Sequence, residues 1–202
     1  MGTGIATVFK GIEYRSRHEA KWAAFMSSLG WEYTYEPFDG DGYIPDFIVY
    51  GDWPMFVEVK PVIALSEFVA EEAKVTKGLA SFEKDVTIVG STPVWSDGSL
   101  CYDGSYAAGW LGEYYDASID GSTGFNWAAA AWSKCHTCGI YSVQHDYMNY
   151  VNRVCGHHNS GDDRICADGW TRPRRDPLEI ADLKAKWAVA TNEVKWRGRA
   201  AS

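Results

Sequence analysis

The chain has 202 residues, of which 46% are hydrophobic and 23% are charged, proportions that are ordinary for a folded globular protein. No uncharged apolar run approaches the roughly 18 residues of a membrane-spanning helix, and the N-terminus lacks the pattern of a secretory signal peptide. We therefore expect a cytoplasmic protein with no membrane partner. Five cysteines, an odd number, argue against a disulfide framework and favour thiol or metal chemistry.

The net charge of −8 is unevenly distributed along the chain. Residues 1–130 hold 8 basic and 19 acidic residues and carry −11, whereas residues 131–202 hold 11 basic and 8 acidic residues and carry +3. The basic part could follow a phosphate backbone while acidic residues in the first part hold metal ions. A polyanionic substrate would otherwise be repelled, so this distribution predicts a strong dependence on Mg²⁺ or salt.

Sequence patterns predict a compact α/β core in the first half of the chain. A helix is predicted over residues 16–29, because Ser16 and Glu19 form a capping-box pattern and Gly30 is a natural C-terminal stop. Hydrophobic alternation and turn residues then predict strands at 31–35, 43–50 and 55–59, a helix at 66–83 and a strand at 85–89. The order helix, three strands, helix, strand predicts a mixed sheet.

The second half of the chain is less regular. Residues 91–130 are rich in Gly, Ser, Asp, Tyr and Trp, which predicts one or two β-hairpins with candidate strands at 100–102 and 112–119. A polar, basic loop is predicted at 161–176. Asp as a cap and Pro in the first turn then predict a last helix over residues 176–196.

Three carboxylates and a lysine are predicted to meet at one edge of the core. Glu58 and Lys60 lie two positions apart on one predicted strand, so both side chains leave the same face. Asp46, on the neighbouring strand, can lie beside Glu58, and Glu19 can add a carboxylate from the first helix. Carboxylate oxygens hold hard cations such as Mg²⁺, and a lysine beside them can orient the nucleophile or stabilise the phosphorus centre. The set predicts a metal-dependent phosphodiesterase.

Each of these residues also has a purely structural interpretation. Glu19 can serve only as the capping partner of Ser16, and Asp46 can be a strand-entry residue after a proline. Glu58 and Lys60 can be a solvated pair at a sheet edge. The nuclease hypothesis depends on the combination rather than on any single member.

Residues 14–23, 43–47 and 56–61 together resemble the signature of the PD-(D/E)xK nuclease superfamily. The first stretch is similar to the Tyr-x-Ser-x-x-Glu-Ala-x-Trp-Ala helix of small phage and bacterial members, and the other two supply Pro-Asp and Glu-x-Lys. The resemblance covers about residues 9–93, and every signature position is filled. It implies a restriction-endonuclease-like αβββαβ core with a mixed sheet.

The resemblance also implies residue roles and a setting. Asp46 and Glu58 would bind Mg²⁺ or Mn²⁺, Lys60 would serve the attacking water, and Glu19 would be the helix-borne acidic residue. Nucleic acid, with DNA favoured, would be the partner, and a phage-encoded protein would work in the host cytoplasm. The resemblance leaves open whether one or two metal ions act.

The second half holds an array of cysteine and histidine residues with metal-ligand spacing. Cys135 and Cys138, followed by Cys155 and His158, form Cys-x₂-Cys and Cys-x₂-His pairs. Each pair can form a tight knuckle that points two ligands at one ion, and Zn²⁺ prefers four ligands in a tetrahedron. His158 is favoured as the fourth ligand by spacing, and three alternatives stay open: His157, His145 and Cys166. The remaining cysteine, Cys101, is predicted to be buried and apolar.

The cysteine array resembles a zinc ribbon, which implies a structural rather than a catalytic ion, because four protein ligands leave no open position. A catalytic zinc served by His145 or Asp146 is the competing interpretation. The predicted segments are a nuclease-like core (1–95), a Gly- and aromatic-rich hairpin segment of the same domain (96–132), a zinc ribbon (133–160), and a basic loop with a C-terminal helix (161–202). Three arginines of that loop are candidate phosphate contacts, or else form a solvated face: Arg172, Arg174 and Arg175.

The leading hypothesis is a Mg²⁺-dependent endodeoxyribonuclease whose structural zinc ribbon aids DNA binding. The alternative is a catalytically silent, nuclease-like binding or inhibitor protein, such as a phage adaptor, that acts on DNA or on a protein partner through residues 91–130. A zinc enzyme acting on a small molecule is the weakest hypothesis, since the cysteine site is expected to be closed. A homodimer also stays open.

Overall fold

A computed structural model describes residues 4–40, 42–95, 106–117, 122–146, 151–157, 163–165 and 177–194. Over these residues the chain has a mixed α/β fold with three α-helices, a two-stranded hairpin and a seven-stranded sheet. No helix among them is long and apolar enough to cross a membrane.

The described elements are nine strands and three α-helices. In chain order they are β1 (Thr7–Phe9), β2 (Ile12–Tyr14), α1 (Arg17–Ser28), β3 (Tyr33–Tyr35), β4 (Phe47–Val49), β5 (Met55–Val59), α2 (Leu65–Leu79), β6 (Val86–Val89), β7 (Ala107–Ala117), β8 (Ser122–Lys134), β9 (Tyr141–His145) and α3 (Pro177–Glu193). A short 3₁₀ turn, Ala80–Phe82, follows α2.

The seven-stranded sheet has the order β3-β4-β5-β6-β7-β8-β9. Its neighbours pair antiparallel except β5 and β6, which are parallel with Glu58 opposite Ile88. A parallel pair needs a long crossover, and α2 supplies it between β5 and β6. β4 and β5 pair with Phe47 opposite Val57, which sets the two strands that carry the predicted site side by side.

Helix α1 begins where the capping-box pattern predicts. The Ser16 hydroxyl accepts the Glu19 backbone N–H at 3.1 Å and donates to Glu19 Oε1 at 2.8 Å. The first contact satisfies one of the backbone N–H groups that a helix start leaves open, and the second joins the two side chains. Gly30 follows the helix with φ of +77°, a conformation that costs glycine little. The cap also sets the direction of the Glu19 side chain.

Apolar residues cover both faces of the sheet. On one face, Trp22 and Phe25 of α1 pack with Leu183 of α3 against β4 and β5. On the other face, Phe68 and Val75 of α2 pack against β5 and β6. Burial on both faces explains why β4, β5 and β6 are near-continuous hydrophobic runs in the sequence.

The first-half helices and strands are found where the sequence predicts them, with shorter strands at two places. The strand expected over 43–50 is reduced to Phe47–Val49, since the residues before it bend around Pro45 and form an isolated bridge between Gly40 and Tyr43. The one expected over 31–35 begins at Tyr33. The β1–β2 hairpin was not predicted, and its turn uses Lys10 and Gly11 with φ of 48° and 80°.

The second half contains longer strands than the sequence predicts. Within its described residues, the region expected to hold one or two hairpins forms one long hairpin, β7–β8, and β9 adds to it as the last strand of the same sheet. The sheet therefore continues across the boundaries expected at residues 96 and 133. The candidate strand at 100–102 lies outside the described residues. The last helix is observed as Pro177–Glu193.

Candidate functional site

β4 and β5 bring Asp46, Glu58 and Lys60 together, as the sequence predicts. Asp46 Oδ2 accepts the Val59 backbone N–H at 2.8 Å, and Glu58 Oε1 accepts the Asp46 backbone N–H at 3.2 Å. Lys60 Nζ donates to Glu58 Oε2 at 2.8 Å. Asp46 is 6% exposed and Glu58 1% exposed. Two buried carboxylates and one ammonium thus share one end of the β4–β5 pair.

Burial and the charges within this cluster shift the pKa values of Asp46 and Lys60. Burial and the neighbouring Glu58 carboxylate raise the pKa of Asp46 to about 7, against the opposing effects of Lys60 and the Val59 N–H. Burial lowers the pKa of Lys60, but Glu58 and Asp46 more than compensate, so the pKa lies above its ordinary value. Lys60 therefore stays protonated at neutral pH. Strongly perturbed carboxylates with a specific charge partner are typical of functional sites.

Glu19 approaches the same cluster from α1. Its carboxylate accepts the Tyr35 hydroxyl at 2.6 Å, in addition to the Ser16 hydroxyl. It is close enough to Asp46 to contribute to the raised pKa of that residue. The carboxylate oxygens of Glu19, Asp46 and Glu58 do not all lie within 4.8 Å of one another. Glu19 is a nearby third carboxylate, held in place by two hydroxyl groups.

Arg15 is a site residue that the sequence did not single out. Its Nη2 contacts Asp46 Oδ1 at 3.0 Å, and its Nε contacts Glu36 Oε1 at 2.5 Å. The Arg15 backbone N–H also donates to the Tyr35 hydroxyl at 2.9 Å. Glu36 adopts a φ of +43°, which is uncommon for a residue with a Cβ and directs the chain back towards the site. The only sequence signal for Arg15 was its place inside the Tyr-x-Ser motif.

A cleft of about 570 Å³ lies beside this cluster. It shares Arg15 and Glu19 with the cluster and passes Val59 and Pro61, which flank Lys60 in the chain. The first turns of α1 supply three further basic residues of its lining: Arg17, His18 and Lys21. The cleft is therefore lined with cations, although the first 130 residues carry a net −11.

The second candidate site is a cluster of three cysteines and one histidine. Ligand atoms of Cys135, Cys138, Cys155 and His157 all lie within 4.8 Å of one another. Cys135 Sγ is 3.4 Å from His157 Nδ1. The arrangement can hold a metal ion such as zinc, and His157, which the spacing had left as an alternative, supplies the histidine. His158, the favoured ligand by spacing, lies outside the described residues.

Two backbone knuckles form the cysteine cluster. In the first, the Cys135 N–H donates to Ile140 O at 2.9 Å, and the Gly139 N–H donates to Cys135 O at 2.8 Å. In the second, the buried Asn152 side chain accepts the backbone N–H of Cys155 at 3.1 Å. Burial raises the pKa of the Cys135 thiol, but the backbone N–H groups of Cys138 and Thr137 outweigh it and lower the pKa to about 6. This thiol is therefore prepared to bind metal as a thiolate.

The second knuckle packs against the turn that joins β4 and β5. The Trp53 N–H donates to Arg153 O at 3.2 Å, and a Cβ on Gly51 would lie 2.7 Å from Val154 O. The Arg153 side chain is 1% exposed and forms ion pairs with Asp85, before β6, and with Glu113 of β7 at 3.2 Å. The cysteine cluster is therefore joined to the strands that carry Asp46 and Glu58.

Two other predicted site residues that the structure describes lie outside this cluster, His145 and Asp146. His145 Nε2 lies 3.2 Å from Asn126 O, and burial lowers the pKa of its imidazole. Asp146 pairs with Arg164 at 2.9 Å. Neither is among the four clustered ligands, so His157 rather than His145 supplies the imidazole of the cluster. Besides His158, five predicted residues lie outside the described part of the chain: Cys101, Cys166, Arg172, Arg174 and Arg175.

Comparisons with protein-family models, with curated proteins and with solved structures find no match to this chain. The geometry of the two clusters therefore carries the functional argument.

Proposed function

We propose that the protein is a metal-dependent nuclease that hydrolyses phosphodiester bonds at the cluster of Asp46, Glu58 and Lys60. The observation that carries the proposal is the placement of two buried carboxylates side by side, with Lys60 Nζ 2.8 Å from Glu58 Oε2. Like charges at such a position are unfavourable, and a hard divalent cation would offset them. The resemblance to the PD-(D/E)xK superfamily assigns the same residues the same roles.

The donor set fits Mg²⁺ or Mn²⁺, because it offers carboxylate oxygens and no sulfur or imidazole ligand. Such an ion, when bound by Asp46 and Glu58, would supply an activated water and offset charge at the phosphate. The main-chain N–H of Val59 holds one Asp46 oxygen at 2.8 Å and so fixes the rotamer of that ligand. In a hydrolysis of this kind, the water oxygen forms a bond to phosphorus as the bond to the leaving oxygen breaks.

Lys60 and Glu19 have distinct roles in the proposal. Lys60 remains protonated, because the neighbouring carboxylates raise its pKa, so it orients the attacking water or stabilises negative charge at phosphorus rather than acting as a base. Glu19, fixed by Ser16 and Tyr35, adds negative charge beside Asp46 and strengthens cation binding there.

We further propose that the cysteine cluster holds a structural zinc ion in a ribbon-like arrangement. Three thiol ligands and one imidazole would fill the tetrahedron that zinc prefers and would leave no open position for catalysis. Because the second knuckle packs on the β4–β5 turn, this ion would stabilise the strands that present Asp46 and Glu58. DNA is the proposed substrate, with a restriction-endonuclease-like core as the proposed fold.

A cleavage assay tests the proposal. Plasmid DNA, single-stranded DNA, branched DNA and RNA are incubated with Mg²⁺, Mn²⁺ or no added divalent ion, using protein with verified zinc content. We expect cutting by the wild type only with an added ion, and none by Asp46→Ala/Glu58→Ala. The exposed pair Asp39→Ala/Glu32→Ala is the matched control and should cut normally. A folded, zinc-loaded wild type that cuts no substrate would contradict the proposal and favour the binding-protein alternative.

A further inference from the structure

The cleft beside Glu19 carries a charge arrangement that the hydrolytic cluster does not use. Arg17 and Lys21 lie four residues apart on α1 and both line the cleft. Residues at this spacing are neighbours on a helix surface, and two like charges there destabilise the helix. Neither side chain has an ion-pair partner anywhere in the described part of the chain. This is unusual in a protein with a net charge of −8.

Arg17 carries a second observation, an unpartnered hydrogen-bond donor. Its Nε is buried and has no hydrogen-bond partner among the described residues. A buried donor without an acceptor is costly, and a charged one more so, hence the position favours an anion. Guanidinium groups are well suited to phosphate, since their planar donors match two phosphate oxygens.

Three further titratable residues line the cleft beside Arg17 and Lys21. His18 donates its Nε2–H to Gly90 O at 2.9 Å, and burial together with Lys21 lowers the pKa of its imidazole, so it is neutral at pH 7. Arg15, half exposed, sits between the cleft and Asp46. Glu19 is the one carboxylate among the described residues that line the cleft, and Tyr35 and Ser16 already occupy its oxygens.

We propose that Arg17 and Lys21 bind the phosphate backbone of a polynucleotide next to the phosphodiester that is cut. The inference rests on the proposed function only for the hydrolysis of the neighbouring phosphodiester. The cleft would bind a polynucleotide even if the protein were no nuclease. It also explains how an acidic protein can hold an acidic substrate. Local fields rather than net charge decide encounter and binding, and these cations form a local positive surface beside the cluster.

The salt dependence of binding tests this inference. Fluorescence anisotropy is measured without added divalent ions, which prevents cleavage, on labelled duplex DNA, single-stranded DNA and RNA of one sequence. Arg17→Gln/Lys21→Gln should reduce the magnitude of the slope of log K against log salt by roughly 1.4–1.8, since each of the two lost phosphate contacts removes roughly 0.7–0.9. Between about 50 and 200 mM salt, the affinity loss should shrink roughly 10-fold relative to the wild type.

The matched control is Lys74→Gln/Lys77→Gln, which removes the same charge from two exposed lysines of α2 at a different surface. It should leave the slope unchanged. The nucleic acid that gives the steepest wild-type slope and the largest loss in the Arg17/Lys21 variant identifies the source of the phosphate backbone. Equal effects of the two variants, an unchanged slope in Arg17→Gln/Lys21→Gln, or no binding of any nucleic acid by the wild type would overturn the inference.

These outcomes separate the inference from the proposed function. If the wild type cleaves DNA and the slope is unchanged in the variant, phosphate binding by Arg17 and Lys21 is refuted and the nuclease proposal stands. If the slope is reduced and no substrate is cleaved, phosphate binding stands and the nuclease proposal is refuted.

Discussion

The buried carboxylate of Asp46 should make the folded protein less stable as the pH rises. Burial and Glu58 raise its pKa from an ordinary 3.8 to about 7. The folded state then binds this proton more tightly than the unfolded state. The contribution of Asp46 to the free energy of unfolding is therefore largest below pH 3.8 and is lost as the pH rises through 7. At ~1.36 kcal/mol per pKa unit, the loss between about pH 5 and about pH 8 is about 3 kcal/mol.

Asp46→Asn removes the ionisation and keeps an oxygen that can accept the Val59 N–H. The free energy of unfolding of this variant, relative to the wild type, should therefore rise by about 3 kcal/mol from about pH 5 to about pH 8. In a protein of this size ~1 kcal/mol corresponds to roughly 2–4 °C in melting temperature. The difference between the two melting temperatures should widen by roughly 6–12 °C over that pH range.

The assay is thermal unfolding followed by circular dichroism, without added divalent ions and with zinc content checked at each pH. Asp39→Asn is the control, because this carboxylate is exposed and the same substitution should give a difference that stays constant with pH. Adding Mg²⁺ at the higher pH should stabilise the wild type more than Asp46→Asn. A difference between Asp46→Asn and wild type that stays constant, or that narrows as the pH rises, would refute the reasoning.

Four further substitutions test other parts of the account. Lys60→Ala should lower the cleavage rate at least ~100-fold in protein that circular dichroism shows to be folded at the assay temperature, and full activity would remove the lysine from the mechanism. His157→Ala should reduce zinc bound per chain and the melting temperature, as should Cys135→Ser; retained stoichiometry in both, measured by mass spectrometry, would refute the cluster. Arg153→Ala leaves the buried Asp85 and the partly buried Glu113 without their cation. It should cost about 3–5 kcal/mol in chemical denaturation, so a loss below about 1 kcal/mol would show that the pairs contribute little.

Local signals in the sequence predicted the helices and the sheet strands of the first half of the fold, but not the β1–β2 hairpin. The Ser16–Glu19 cap and Gly30 act within a few residues of the helix that they delimit, so the bounds of α1 could be predicted. β7 and β8 were harder, because their residues have low β-propensity. Ala128 is buried in the long hairpin, and Gly109 is required where a Cβ would lie 2.0 Å from Ile88 O. Such close approach between strands depends on tertiary structure.

In the candidate site too, some contacts follow from local sequence spacing and others depend on tertiary structure. Glu58 and Lys60 share a strand face by simple alternation, so their meeting could be predicted from spacing alone. Arg15 reaches Asp46 only because the chain turns between β2 and α1, which no spacing rule describes. The choice of His157 likewise depends on backbone conformation, since Gly156 adopts a φ of +67° immediately before it. A left-handed turn of this kind places His157 beside the cysteines.

The most direct test of the central claim is single-turnover cleavage in ¹⁸O-labelled water with Mg²⁺, followed by mass spectrometry of the new ends. The account predicts one ¹⁸O atom in each newly formed terminal phosphate, because water is the nucleophile, and no product from Asp46→Ala/Glu58→Ala. Products without ¹⁸O, or cleavage that persists in the doubly substituted protein, would contradict hydrolysis at the cluster of Asp46, Glu58 and Lys60.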